Sequence, residues 1–359
     1  MKPSRVSEMA VNPGECVLTS GSGALTVECG SLEVLGAVLT RGSRVRIHPG
    51  KRFPIYAPGF KARVEIVGKL TITTIKEDPI PKSWRSLPDL FLTRTVPRIA
   101  IVGPTDSGKT ALTTYLANVS LGASGRVGIV DSDPGQCDIG PPTCISGAVA
   151  KSCLIDLREL VPEVMEFVGV TSPSLRPERC IRAVSKVTRE LLSAGPDFLF
   201  LNTDGWVREG GLEHKRRILE TVKPDFVVTL GLNEDLNWLV PTDARLVAAE
   251  VPRMVLVRNQ QARYRMRLIN LLHYLQRHKL LALNPRLVRN PGETRPGSIL
   301  ALLREGRVKS LGVVESVSAT SSLRAYCGTE DFDEVVRGNA CMPEALEHLR
   351  ARSRHHITR

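Results

Sequence analysis

No cysteines stand at metal-binding spacing in this 359-residue chain, and that absence is the first constraint on its function. Its eight cysteines, at 16, 29, 137, 144, 153, 180, 327 and 341, include no Cys-x-x-Cys pair and no zinc-type Cys/His pattern. They read as buried small residues in a reducing compartment. Disulfides stay open only for a hyperthermophilic source, whose intracellular proteins are an exception. No stretch of about 18 apolar residues occurs, and the start lacks a basic segment followed by an apolar one. The expectation is a soluble, cytoplasmic protein with no membrane partner. Acidic residues are also in short supply, 37 against 49 Lys and Arg, a formal charge of +12 that favours a polyanionic partner over a neutral metabolite. A merely solvated basic surface would give the same balance. The length allows two or three domains.

What is present is concentrated in one octapeptide. Gly103-Pro104-Thr105-Asp106-Ser107-Gly108-Lys109-Thr110 is a complete Gly-x-x-x-x-Gly-Lys-Thr phosphate-binding loop. Its glycines let backbone N–H groups turn toward phosphates, Lys109 brings a point charge to the β and γ phosphates, and the Thr110 hydroxyl suits a magnesium ion. The apolar run Arg98 to Val102 precedes it and a helical stretch from Ala111 to Ala117 follows, so strand, loop and helix stand in the required order. Residues Gly103 to Ala111 are therefore the expected triphosphate-binding segment.

Around this loop the chain divides into three. From Val17 to about Ile75, stretches such as Ala24 to Cys29, Leu32 to Leu35 and Ala62 to Val67 alternate with Gly, Ser and Pro turns, which predicts a small antiparallel β-sandwich domain over residues 1–76. Residues 77–97, with Pro79, Pro81, Trp84 and Pro88, form a connector with one short helix. Over 98–283 apolar strands alternate with helical lengths: Ile99 to Val102, Val127 to Val130, Phe198 to Leu201, Phe226 to Leu230 and Met254 to Val257. That rhythm predicts an α/β P-loop domain with a parallel sheet and function at the carboxyl ends of its strands. Residues 284–359 read as a small mixed α/β domain ending in a helix from Pro343 to Arg354 and a frayed basic tail from Arg352 to Arg359.

Three further motifs sit at strand ends. Asp131-Ser132-Asp133-Pro134-Gly135-Gln136 follows Val127 to Val130, where a carboxylate can serve a metal bridging phosphate oxygens. Two carboxylates two residues apart suggest divided labour, one serving the metal and one accepting a proton, with Gln136 orienting a substrate or water. An Asx-Pro-Gly turn would use the same residues. Asn202-Thr203-Asp204-Gly205-Trp206 follows Phe198 to Leu201, and Trp206 there suits either stacking on a nucleobase or core packing. Arg258, Arg263 and Arg267 follow Met254 to Val257; the last two share one face of a helix that could fold over a triphosphate or face solvent.

Together with Phe167-Val168-Gly169-Val170-Thr171-Ser172-Pro173, these motifs resemble the polynucleotide 5'-hydroxyl-kinase family, in its archaeal form. That family includes the kinase subunit of eukaryotic pre-mRNA cleavage factor and nucleolar rRNA-processing kinases. The resemblance is close over the central domain and extends to the flanking domains only in order and size. It implies that Lys109 and Thr110 serve ATP and Mg2+, that Asp133 is the general base, and that Asp131 is linked to the metal, although the two Asp roles are exchangeable. It further implies that Thr203, Gly205 and Trp206 form a clasp on the 5' end of the acceptor and that Arg263 and Arg267 form a lid, with Arg258 and Gln136 beside the substrate. The expected activity is transfer of the ATP γ-phosphate to the 5'-hydroxyl end of RNA, with DNA ends as a second candidate acceptor and RNA-processing proteins as partners; strandedness and oligomeric state are left open. An ATP-binding scaffold of an RNA-processing complex is the alternative, because some relatives keep the fold and lose catalysis. A P-loop enzyme acting on a small metabolite is the third reading, and it leaves the basic surplus and Trp206 without a use.

Overall fold

The computed structural model describes residues 6–357, apart from 93, 124, 233–234, 285–287, 290–292 and 319–322. Three sheets follow one another along the chain. The first is antiparallel and has seven strands, in the order Val6–Val11, Ala62–Ile75, Cys16–Cys29, Arg52–Tyr56, Leu32–Val34 and Ala37–Leu39, with Arg44–Ile47 also paired to Cys16–Cys29. Period-two alternation decides which face is buried: Val45 and Ile47 point inward while Arg44 and Arg46 point out. The two 14-residue strands pair with each other from Cys16↔Ile75 to Cys29↔Arg63, so one continuous sheet carries through the all-β unit. The first five residues of the expected β domain lie outside the described residues.

The connector holds two short helices where the sequence suggested one, Lys82–Arg85 and Leu87–Phe91, because Pro88 starts a second turn immediately after Ser86. Trp84 is buried and donates its indole N–H to the Glu250 carbonyl at 2.9 Å. Phe91 is fully buried, its ring centroid 5.0 Å from that of Phe226 and 6.4 Å from that of Phe200. These side chains join the core of the first sheet to one face of the second.

The central sheet has the order Val164–Phe167, Cys144–Ala150, Val127–Asp131, Phe198–Asn202, Arg98–Val102, Phe226–Leu230 and Arg245–Ala249. The last five are parallel and the first two are added antiparallel. Near-continuous burial of Phe198–Asn202 and Phe226–Leu230 fits strands covered on both faces. Helix Lys109–Ala123 lies with the linker on one face, and Pro177–Ser193 with Gly211–Val222 on the other. Since Phe198–Asn202 separates the strands before and after the phosphate loop, the crevice at their carboxyl ends opens beside that loop.

Three expectations need correction. Met254 to Val257 is not a strand; Pro252 anchors that segment against the phosphate loop and Val257 is exposed, and the edge strand is instead Arg245–Ala249, a five-residue element with no fully buried position. Lys279–Leu283, assigned by sequence to the P-loop domain, pairs with Leu323–Cys327 in the third sheet. The basic tail continues as helix Glu344–Ile357, while Thr358 and Arg359 lie outside the described residues. The third sheet has the order Lys279–Leu283, Leu323–Cys327, Arg307–Val317, Ser298–Arg304, Glu334–Cys341 and Val288–Arg289. Leu271, Leu272 and Leu275, in and just after helix Gln260–Tyr274, share its core with Leu346 and Leu349.

Phe91→Ala is expected to destabilise the chain by about 3–5 kcal/mol, since it opens a cavity where two sheets share a core. A urea titration followed by tryptophan fluorescence measures this, and a change below about 1 kcal/mol would mean that the linker is not part of the core.

Candidate functional site

The phosphate loop leaves Val102 and enters helix Lys109–Ala123 with Gly108 at φ +93° and Asp106 at φ +58°, the turns that aim successive N–H groups inward. A Cβ at Gly205 would lie 2.3 Å from Thr105 Oγ1, so only glycine lets the 202–206 turn rest on the loop. Lys109 is 8% exposed and donates to the Pro104 carbonyl at 2.7 Å. Burial pushes its pKa down to about 8, against the pull of Asp133 and Asp204. The hydroxyl of Thr110 accepts from Asn202 Nδ2 at 3.3 Å, and the buried Asn202 Oδ1 has no hydrogen-bond partner among the described residues.

Asp131 is fully buried and organises the turn that follows it. Its Oδ2 accepts from Asp138 N at 2.7 Å and from Ile139 N at 3.4 Å, and its Oδ1 accepts from Asp133 N and Asn202 Nδ2, both at 3.4 Å. Burial, aided by the Asp138 carboxylate, pushes its pKa up to about 7. Asp133 Oδ1 accepts from Gly135 N at 2.8 Å and Gln136 N at 2.9 Å. Burial and then Asp204 raise its pKa, opposed by those two amides and Lys109. The turn is held from behind by the Phe167 to Pro173 segment. A Cβ at Gly135 would meet the Thr171 carbonyl at 2.4 Å, and the Val168 and Gly169 amides donate to the Thr143 carbonyl at 2.9 and 3.0 Å. Gln136 Nε2 donates to the Gly135 carbonyl at 2.9 Å and to the Arg263 carbonyl at 3.3 Å, linking this turn to the next element.

The other sequence-derived residues separate into those that fasten and those that face the crevice. Thr203 is buried and spends its hydroxyl on the Ile101 carbonyl at 2.7 Å. Trp206 is half-buried, with its ring 5.3 Å from that of His214 and its amide donating to Asp204 Oδ1 at 2.9 Å. Arg258 and Arg263 both approach Asp106, at 3.3 Å each. Arg267 sits 5.8 Å from the Tyr264 ring centroid; burial and then Arg263 lower its pKa, against the pull of Asp133. The loop, Asp133, Gln136, Thr203, Gly205 and Arg258 line one cavity of about 220 Å³. Its lining also includes the apolar side chains of Leu18, Leu35, Phe53, Ile80 and Trp84, from the N-terminal all-β unit and the linker.

Several functional candidates escaped the sequence reading. Asn202 and Asp204 belong to a motif that pointed instead to its neighbours. Lys215, fully buried, stands 2.5 Å from Asp204 Oδ2, a pairing with no spacing signature. Lys51, from the first sheet, reaches Asp138 at 2.9 Å and Asp156 at 2.6 Å on the cavity wall. Among the described residues no group of three His, Cys, Asp or Glu is poised around a metal. Thr110 Oγ1, the unpartnered Asn202 Oδ1 and the Asp131 and Asp133 carboxylates are hard oxygen donors. They fit a magnesium ion that takes its remaining ligands from phosphates and water.

Comparison with known proteins agrees with this geometry. Residues 103–277 match the family described as the mRNA cleavage and polyadenylation factor CLP1 P-loop. The polyribonucleotide 5'-hydroxyl-kinase of Pyrococcus furiosus is 37% identical over 143 residues, 40% of this chain and 40% of the relative. That of Methanocaldococcus jannaschii is 35% identical over 143 residues, 40% of this chain and 39% of the relative. The aligned region thus spans about 40% of the length of these curated relatives. The solved structure of Clp1p with a Pcf11p segment superposes with a TM-score of 0.78 over 94% of this chain and 98% of that one, at 14% identity, which is a likeness of fold. Among the described residues no helix is long and apolar enough to cross a membrane.

The buried ammonium of Lys109 gives a measurable signature. Its pKa is lower in the folded chain than in the unfolded one, so the unfolded chain binds more protons between about pH 8 and 10.5 and this residue's contribution to stability rises with pH across that window. Below it the buried charge is a liability. Lys109→Met is therefore expected to raise the thermal midpoint at pH 7 without nucleotide by several degrees and to abolish the further rise that nucleotide gives the parent protein. A lowered midpoint would show that the charge is compensated in the empty loop.

Proposed function

We propose that this chain, whose residues 103–277 match the CLP1 P-loop family, is an ATP-dependent kinase that phosphorylates the 5'-hydroxyl ends of RNA, with DNA ends as a second candidate acceptor. The observation that carries this reading is a single crevice. In and beside it lie a phosphate loop, a carboxylate raised above its ordinary range at Asp133, a half-buried Trp206 and a trio of arginines. The three sheets are read as three domains in the order β, P-loop and C-terminal, the last beginning at Lys279.

The roles follow from position. Backbone N–H groups of Gly103 to Thr110 and the Lys109 ammonium hold the β and γ phosphates, and Ala111 extends the helix whose N-terminus faces them. The nucleoside end fits the apolar wall of Leu18, Phe53, Ile80 and Trp84. Magnesium, held by Thr110 and by Asp131 or Asp133 with Asn202 beside them, would supply charge neutralisation at the phosphate oxygens. The amides of Gly135 and Gln136 occupy one oxygen of Asp133, which leaves the other to take the proton of the acceptor hydroxyl. As that O–H bond breaks, the hydroxyl oxygen bonds to the γ phosphorus and the β–γ bridging bond breaks toward ADP, with Lys109, Arg263 and Arg267 balancing the spread charge. The exposed part of the Trp206 ring offers a stacking surface for the terminal base of the acceptor, while Thr203 fastens that turn to the strand before the loop and Gly205 lets it rest on the loop. The positive surplus would draw a polyanion to the crevice.

With γ-labelled ATP and a 5'-hydroxyl oligoribonucleotide, Asp133→Asn is expected to lower turnover by about 10²–10⁴-fold while changing ATP affinity little. Loss of ATP affinity in proportion to turnover would move Asp133 from proton transfer to binding. Trp206→Ala is expected to raise the acceptor KM about 10- to 100-fold, as removal of one stacked base would. An unchanged KM would place Trp206 in packing against His214 only.

A further inference from the structure

An aspartate inside an anion cradle works against the loop's own purpose, because its charge repels the phosphates that the N–H groups are arranged to attract. Asp106 occupies such a position, with its side chain 8% exposed and its backbone at φ +58°, a conformation costly for a residue other than glycine. Its partners account for it. Among the described residues, every hydrogen bond recorded for its carboxylate comes from the entry to helix Gln260–Tyr274. Oδ2 accepts from Arg258 N at 2.9 Å and Arg263 Nη1 at 3.3 Å, and Oδ1 accepts from Arg258 Nη1 at 3.3 Å.

The same entry is gripped from two more sides. Arg258 Nε donates to the Gly50 carbonyl at 3.0 Å, and a Cβ at Gly50 would fall 2.1 Å from Met266 Sδ, so a turn of the first sheet seats directly on the helix. Arg263 Nη1 also donates to the Arg258 carbonyl at 2.5 Å, and Asn259 caps the helix by accepting from Ala262 N at 2.8 Å. Farther along, the Tyr264 hydroxyl bonds Glu344 of the C-terminal helix. Among the described residues, the side-chain hydrogen bonds that tie this arginine-bearing segment to the nucleotide loop all end on the Asp106 carboxylate, beside the packing of Pro252 and Val255 on Gly108.

We propose that Asp106 is a positioning residue that docks the arginine lid on the phosphate loop before nucleotide arrives, so that the ordering of Arg258 and Arg263 is paid in the fold rather than during phosphoryl transfer. Charge-assisted bonds to a partly buried carboxylate fix two long side chains that would otherwise sample many rotamers. Arg267, one turn farther on, has no bond to Asp106 among the described residues and instead lies 5.8 Å from the Tyr264 ring centroid. The consequence for turnover rests on the kinase reading; the docking itself does not.

The test combines amide hydrogen exchange across residues 253–263 in the nucleotide-free full chain with steady-state kinetics of Asp106→Asn. Exchange of the Arg258 amide and its neighbours is expected to rise about tenfold or more. Turnover should fall about tenfold or more, while the dissociation constant for ATP changes less than about threefold. Unchanged lid exchange would overturn the proposal, and so would ATP affinity falling in step with turnover, which would make Asp106 part of the cradle. Arg263→Gln removes the contact from the other side without touching the loop. It should loosen the same amides, and combining it with Asp106→Asn should add little further exchange; full additivity would mean that the two residues act separately. If the parent protein phosphorylates no acceptor, the kinase reading fails while lid exchange still decides the docking.

Discussion

The rest of the site depends on how closely the phosphate loop is allowed to approach its neighbours. Gly205 meets Thr105 with no room for a single added carbon, and Gly135 does the same against the Thr171 carbonyl. These contacts pull the ends of three strands and one antiparallel flank to within a few ångströms of one another. A phosphate loop, a carboxylate raised above its ordinary range and a half-buried aromatic ring therefore lie in or beside one crevice. Replacing either glycine would force backbone apart rather than merely crowd a side chain, since the obstructing atoms belong to Thr105 or to a carbonyl.

That closeness has an electrostatic cost, and the site distributes it. Lys109, Asp131, Asp133, Asp204 and Lys215 are all largely withdrawn from water, and each charge is held by an opposite one or by backbone amides. Lys215 compensates Asp204 from below and Lys109 compensates Asp133 from the loop, while burial and the Asp138 carboxylate push the pKa of Asp131 up to about 7 against the amides that hold it. A triphosphate entering such a site brings negative charge to an under-neutralised lysine and to arginines already gathered at its edge. Preorganised dipoles of this kind need little rearrangement when charge moves during transfer.

Much of this was legible in the sequence, and the boundary of legibility has physical causes. The loop, Asp131, Asp133 and the Trp206 turn are local: each lies at the end of a strand whose unbroken apolar run announces it. Arg263 and Arg267 were readable through helical spacing. Lys51 and Lys215 were not, because each meets its carboxylate through tertiary packing between distant segments. The edge strand Arg245–Ala249 was masked by its shortness and lack of buried positions, and Met254 to Val257 imitated a strand by apolar content alone. Asp106 was visible as a loop residue, yet its partners came from 152 and 157 positions away. The apolar part of the cavity lining was equally hidden, since it is assembled from the N-terminal all-β unit and the linker.

The most direct measurement uses one oligoribonucleotide prepared in two forms, with a 5'-hydroxyl and with a 5'-phosphate, each incubated with γ-labelled ATP and a divalent cation. The account predicts label only on the 5'-hydroxyl strand, located at its 5' terminus and removable by phosphatase, with transfer weakening as salt rises. Label on neither strand, or ATP consumption indifferent to which strand is present, would contradict it.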